Sequence, residues 1–171
     1  VAARRSGLPG AIPVTLPSGE TVKLSPGGQN VLVEQVLSEF APRFIPGGEI
    51  LYIGDTDKKF AFFAEQRLRS LGITVDAHGK MPDVIIYHTN RHWLILIEAV
   101  TSHGPIDPKR RGELEDMFAA TTAGLVFVTA FLTRQTMKEY LGDISWETEV
   151  WVADAPSHII HFDGERFIGP Y

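Results

Sequence analysis

Two carboxylates stand in the most apolar stretch of the chain. Asp83 precedes "VIIYH" and Glu98 closes "WLILIE", with a short polar segment between the two runs. Both runs have the length and branched apolar content of strands, so they read as a hairpin. A turn centred on Asn90-Arg91, made either of that pair or of Thr89 to His92, sets Asp83 directly across from Glu98 on one face. Opposed side chains in such a pair lie about 4.5–5.5 Å apart at Cβ. Like charges at that separation repel, and the neighbours here are Val84, Ile85, Leu96 and Ile97. Either the pair shares a proton, with one pKa raised, or it holds a divalent cation. Mg²⁺ takes one or two protein carboxylates together with water and phosphate oxygens, a site suited to metal-assisted phosphodiester hydrolysis. The plainer alternative is two strand-end acids, solvated or paired with Lys80 and Arg91.

The elements that must position this hairpin are legible in outline. "VTLPSGETVKL" places a Pro-Ser-Gly turn between two short alternating runs, a small hairpin within an N-terminal segment, residues 1–24. The remainder, 25–171, is expected to be one domain. Ser25-Pro26 is a helix start, and the spacing predicts a helix to about Glu39-Phe40 with Val33, Val36, Leu37 and Phe40 on one face. "EILYIG" at 49–54 is a buried strand, and "KKFAFFAEQRLRSLG" predicts a helix over 58–72 stopped by Gly72. Asp107-Pro108 starts another helix, to about Thr121; "GLVFVTAF" at 124–131 is a strand; Thr133 caps a helix to about Leu141. "EVWVAD" and a closing hairpin with an Asp163-Gly164 turn complete the chain. Strands interleaved with helices and hairpins imply an α/β fold with a mixed central β-sheet flanked by helices.

Composition narrows the chemistry. The chain has 171 residues, 44% hydrophobic and 22% charged, the balance of an ordinary globular domain. Cysteine is absent, which excludes disulfides, thiolate nucleophiles and cysteine-ligated metals. The formal charge of −5 argues against a nonspecific nucleic-acid binder, although Arg4-Arg5, Lys58-Lys59 and Lys109-Arg110-Arg111 concentrate positive charge locally. No apolar run is long enough for a membrane-spanning helix, and "VAARRSGLPGAIPV" lacks the apolar core of a secretory signal. The chain begins with Val, as expected of a processed product or a fragment of a longer protein.

"PDVIIY" and "WLILIEAVTSHGPIDPKR", with "LYIGDT" upstream and "ISWETEVWVAD" downstream, resemble the catalytic C-terminal region of the BsuBI/PstI type II restriction endonucleases. The resemblance runs from about Ser25 to Pro170. It implies a PD-(D/E)XK nuclease fold and Mg²⁺-dependent cleavage of double-stranded DNA at a palindromic site. It also implies a homodimer, a companion DNA methyltransferase, a bacterial or archaeal cytoplasm, and a further helical region N-terminal to this one. Asp83 matches the Asp of "PD" and Glu98 the acid of "(D/E)XK", with the Ala99 carbonyl as a further metal ligand. Val100 stands where the motif has lysine. Lys109 and Lys80 are the candidate amines, and His103 is a candidate base. Glu34, Glu39 and Asp55 are candidates for an auxiliary acid. A catalytically degenerate nuclease-fold DNA-binding domain is the alternative.

Lys109-Arg110-Arg111 opposes the macrodipole at its helix start, a cost that a bound phosphate would reverse. The alternative is a solvated face eased by Lys109–Glu113 and Arg111–Glu115 pairs. Lys58 and Lys59 are candidate phosphate contacts. Ser102 and His103 are adjacent on an extended segment and point apart, which excludes a nucleophile–base pair but leaves both as DNA-contact candidates. "GDTDKK" has a single glycine, too few for a phosphate loop. Trp93, Trp146, Trp151, Phe62 and Phe63 are expected in the core. His78, His88, His92, His158 and His161 have no ligand spacing.

Overall fold

A computed structural model describes residues 10–75 and 79–166. The fold is built on a seven-stranded mixed sheet and a separate small hairpin. The hairpin is β1 (Ile12–Thr15) and β2 (Thr21–Leu24). The helical stretch α1 (Gly28–Gln35) continues through a π-helical turn at Val36–Phe40 into α2 (Ala41–Phe44). There follow β3 (Glu49–Gly54), β4 (Phe60–Phe63), α3 (Glu65–Ser70), β5 (Val84–His88), β6 (Trp93–Val100) and α4 (Pro108–Met117). The chain closes with β7 (Gly124–Phe131), α5 (Arg134–Tyr140), a 3₁₀ turn at Leu141–Asp143, β8 (Thr148–Val152) and β9 (Ile159–Phe162). The sheet order is β4-β3-β5-β6-β7-β8-β9, with β6-β7 and β7-β8 parallel and the other pairs antiparallel.

The near-continuous apolar runs of β5, β6 and β7 follow from burial on both faces. On one face Leu32, Val33, Val36 and Phe40 pack against Ile95, Ile97, Ala99, Val128 and Trp151. On the other, Leu68, Leu114 and Phe118 pack against Ile85, Leu94, Leu96 and Phe127. The register of β5 on β6 is the one the sequence implies: Val84 faces Ile97 and His88 faces Trp93 across the Thr89–His92 loop.

Several sequence expectations are corrected. The first helix does not start at Ser25-Pro26; its N-cap is Gly27, at φ 141°. The Ser25 amide and hydroxyl instead donate to Asp55 at 2.7 and 2.6 Å. That helical stretch also outlasts Phe40. Pro42 has no amide to donate into the ladder, and the π turn immediately before it absorbs the break. The helix expected over 58–72 is a strand followed by a short helix. Tyr52 pairs with Phe63 and Ile53 with Phe62, and the aromatic rings of Tyr52, Phe60 and Phe63 form a cluster at 5.2–6.3 Å. Gly72 does stop the helix, at φ +88°, and a Cβ there would sit 2.8 Å from the Ala120 carbonyl oxygen. Of the tryptophans, only Trp151 is in the core. Trp93 lies on the surface against Arg91 and His88, and Trp146 is 70% exposed. The closing strand β9 folds back on β8, while most of the arm expected after Asp163-Gly164 lies outside the described residues, as does His78.

Asp55 joins the loop after β3 to the start of α1. Besides Ser25, it accepts from Asn30 Nδ2 at 3.3 Å and from the amides of Asp57 and Lys58 at 3.0 Å each. Burial pushes this carboxyl up, but the hydrogen bonds from Ser25, Lys58 and Asp57 outweigh it and leave it below the usual carboxylate range. Its contribution is therefore present above the unfolded-state value and is lost as pH falls through the lower folded one. Asp55→Ala is expected to cost about 2–4 kcal/mol in urea unfolding near neutral pH. A change below about 0.5 kcal/mol would show that the hub does not hold the α1 start.

Candidate active site

Asp83 ends the loop entering β5, and Glu98 lies near the end of β6. The β5–β6 register, carried one residue beyond Val84–Ile97, sets them across from each other. Asp83 is then drawn inward by its surroundings: Oδ2 accepts the Ala99 amide at 2.7 Å and Oδ1 accepts Gln29 Nε2 at 3.2 Å. Gly54 N in turn donates to the Asp83 carbonyl at 2.8 Å, fixing the loop against β3. Glu98 Oε1 accepts two hydrogen bonds from Arg110, from Nε at 2.9 Å and Nη2 at 2.6 Å. The paired side chains are only 12% and 13% exposed.

Both acids line a cleft of about 510 Å³ together with Gln29, Thr56, Lys80, Ala99, His103, Lys109 and Arg110. Burial pushes the Glu98 carboxyl up to about 7, reinforced by the neighbouring Asp83 charge; Arg110 and Lys80 offset this only in part. Burial also raises Asp83, against the opposing pull of the Ala99 amide, Lys80, Arg110 and Gln29. These are the signatures of a like-charge pair in a low-dielectric setting.

The structure sorts the sequence candidates by place. Lys80, His103 and Lys109 reach the cleft with the two acids. Asp55 lies beside it, on a smaller hollow shared with Lys59, Lys80 and Asp83, but its oxygens serve the α1 hub. Glu34 lies in α1 outside the cleft lining, and Glu39 pairs with Arg43. Lys58 is exposed and donates to the Lys23 carbonyl at 3.3 Å. Ser102 is exposed and outside the cleft lining.

The basic triplet is split three ways by the helix turn. Asp107 caps α4 by accepting the Arg110 amide at 2.7 Å. Lys109 faces the cleft and Arg110 turns inward to Glu98. Arg111 turns aside, donating to the Trp146 carbonyl at 3.0 Å and lying over Phe127. The expected Lys109–Glu113 pair is replaced by Arg110–Glu113 at 3.8 Å, while Arg111–Glu115 forms at 3.4 Å. Arg91, considered as a partner for the acids, sits over Trp93 near the opposite end of the strands.

Sequence reasoning missed Gln29 and Thr56 in the cleft and the pairing of Arg110 with Glu98. No local pattern announces them, because all three arrive from other elements. Val100 is buried with Phe131, Ile144, Val150 and Val152, so the lysine position of the motif is filled by core. Among the described residues no cluster of three or more His, Cys, Asp or Glu side chains could hold a metal; of the four carboxylates lining the cleft, Asp83 and Glu98 face each other, while Asp107 caps α4 and Glu113 pairs with Arg110.

Comparison with known proteins finds relatives over most of the chain. The family model for the BsuBI/PstI restriction endonuclease domain matches residues 12–165. The type II restriction enzyme BsuBI of Bacillus subtilis is 56% identical over 160 residues, which is 94% of this chain and 51% of that protein. The type II restriction enzyme AplI of Arthrospira platensis is 34% identical over 155 residues, covering 86% of this chain and 48% of that protein. The solved structure of SdaI restriction endonuclease superposes with a TM-score of 0.90 at 47% identity, covering 99% of this chain and 52% of that one. The chain thus spans about half the length of each of these relatives. With the family match running over nearly the whole chain, this protein belongs to the BsuBI/PstI restriction endonuclease domain family.

Proposed function

We propose that this domain carries the phosphodiester-cleaving site of a type II restriction endonuclease. In this reading the whole enzyme cuts double-stranded DNA at a specific palindromic site, works as a homodimer in the cytoplasm, and is matched by a DNA methyltransferase that protects the host. The carrying observation is the pair of opposed carboxylates, Asp83 and Glu98, in a cleft that Lys80 and Lys109 also line. No helix among the described residues is long and apolar enough to cross a membrane.

A divalent cation fits the donor set, with Mg²⁺ as the ion we favour. The donors are hard oxygens, and the charge that burial disfavours on both acids is what a cation would relieve. Asp83, Glu98 and the Ala99 carbonyl would hold it. When bound, it would lower the pKa of a water and offset phosphate charge. The remaining work falls to side chains of this chain. Lys80 and Lys109 flank the acids and would bind the scissile phosphate, neutralising charge as it develops on the phosphoryl oxygens. His103, on the exposed loop after β6 and in the lining of the cleft, would accept a proton at its mouth. Lys58 and Lys59 would contact backbone phosphates beyond it.

One observation favours a second reading, a catalytically degenerate DNA-binding domain: the motif lysine is replaced by a fully packed Val100. Mg²⁺-dependent cleavage of plasmid by the full-length protein separates the two. Asp83→Ala and Glu98→Ala should each reduce cleavage by at least about 10²–10³-fold with DNA binding retained. Wild-type cleavage by either variant would remove that acid from the site.

The raised Glu98 value makes a second test. Between its ordinary value of 4.5 and about 7, the folded state holds more protons than the unfolded state at this group. Metal-free stability should therefore be highest on the acidic side and fall as pH rises through 7. Asp83 contributes in the same direction. Thermal melts at pH 5.5 and 8 are expected to show this fall, with Mg²⁺ restoring stability mainly at pH 8. Glu98→Gln should flatten the fall; an unchanged slope in that variant would assign it to other groups.

A further inference from the structure

The cleft has three cationic side chains, and they are not equivalent. Lys80 and Lys109 are exposed, and neither forms an ion pair with a described residue. Arg110 is almost wholly buried, with its fork committed on several sides. Nε and Nη2 both donate to the same oxygen of Glu98, while Nη2 also donates to the Lys80 carbonyl at 2.9 Å. Its backbone is fixed as well, through the amide that donates to Asp107 at the start of α4.

These contacts join two pieces of chain that are not hydrogen-bonded to each other as strands. One is the loop of Lys80, Met81, Pro82 and Asp83; the other is Glu98 near the end of β6. The planar guanidinium spans them because its donors leave in fixed directions, which an ammonium group does not provide. Both donors go to Oε1 of Glu98, and Oε2 accepts no hydrogen bond from a described residue. The carboxylate is thereby turned with one oxygen spent and one spare, on the wall of the cleft. The neighbouring strand position, Val100, contributes no charge.

We propose that Arg110 is the positioning residue of this site, standing in for an amine at position 100. It orients Glu98 with Oε2 available to the cleft and pins the loop carrying Lys80 and Asp83 against β6. This inference rests on the nuclease reading above. It departs from a phosphate-contact role for Arg110, because Nε and Nη2 of the guanidinium are already committed within the protein.

The two roles separate in the full-length enzyme. Arg110→Met and Arg110→Lys should lower kcat on plasmid at saturating Mg²⁺ by roughly 10²-fold. KM for DNA should stay within about twofold of wild type. DNA binding measured in EDTA should keep its wild-type salt dependence. Lys109→Ala, which removes a phosphate contact, should lower kcat and, unlike the Arg110 variants, also raise KM and reduce the salt slope by about one. Arg110→Lys is expected to rescue little, since one ammonium cannot reproduce the fork. If Arg110→Met fails to fold, Arg110→Lys decides the matter, with a thermal melt confirming its folded state. A wild-type kcat in either folded variant overturns the proposal, as does a defect confined to KM and the salt slope. Asp83→Ala reports on the underlying reading: an inactive Asp83→Ala beside an unaffected Arg110 variant rejects the positioning role alone. Wild-type cleavage by Asp83→Ala rejects both.

Discussion

Two buried carboxylates facing each other across an antiparallel pair are an electrostatic liability, and the arrangement around them answers it. Asp83 is bound by a strand amide and by Gln29, while Glu98 is bound by the fork of Arg110. Even so, the Glu98 carboxyl stays near 7 because burial is the larger effect. Burial thus disfavours charge on both acids, and a bound cation of the kind proposed would relieve that cost.

The sheet decides where this can happen. The antiparallel β5–β6 pair brings the acids opposite each other. The parallel β6–β7 pair needs a crossover, and α4 supplies its helix. The crossover places the start of α4 beside the end of β6, so Arg110 meets Glu98 and Lys109 reaches the cleft. On the opposite face α1 and the π turn after it pack through Leu32, Val33 and Val36, with Gln29 in the first turn of α1 reaching Asp83. The Asp55 hub sets where α1 begins, so a carboxylate that resembles a catalytic candidate in sequence also fixes the direction from which Gln29 arrives.

Much of the fold is legible along the chain because its signals are local. The apolar runs of β3, β5, β6 and β7, the Asp107-Pro108 and Thr133 caps and the Gly72 stop all rest on short-range geometry. The misreadings arise where tertiary contacts override local preference. Ser25 is a good helix cap, but its amide and hydroxyl donate to Asp55, which holds it outside the helix that Gly27 begins. "FAFF" satisfies a helical spacing, yet pairing with the exposed edge of β3 gives its backbone and rings better partners. Trp146 looks like core by residue type, but it precedes β8 with its carbonyl held by Arg111, leaving the indole outside.

The sequence alone determined that Asp83 and Glu98 face each other. A strand repeats every two residues, and a two- or four-residue turn centred on Asn90-Arg91 pairs position 83 with position 98 on one face. It also determined that no lysine follows in the motif position. Which cation answers the pair was decided only by the tertiary structure. Lys80, Arg91, Lys109 and Arg110 are all plausible partners by distance along the chain. The crossover that places α4 against β6 brings Arg110 into contact with Glu98 and leaves Arg91 over Trp93. The choice rests on packing between elements far apart in sequence, which no local pattern encodes.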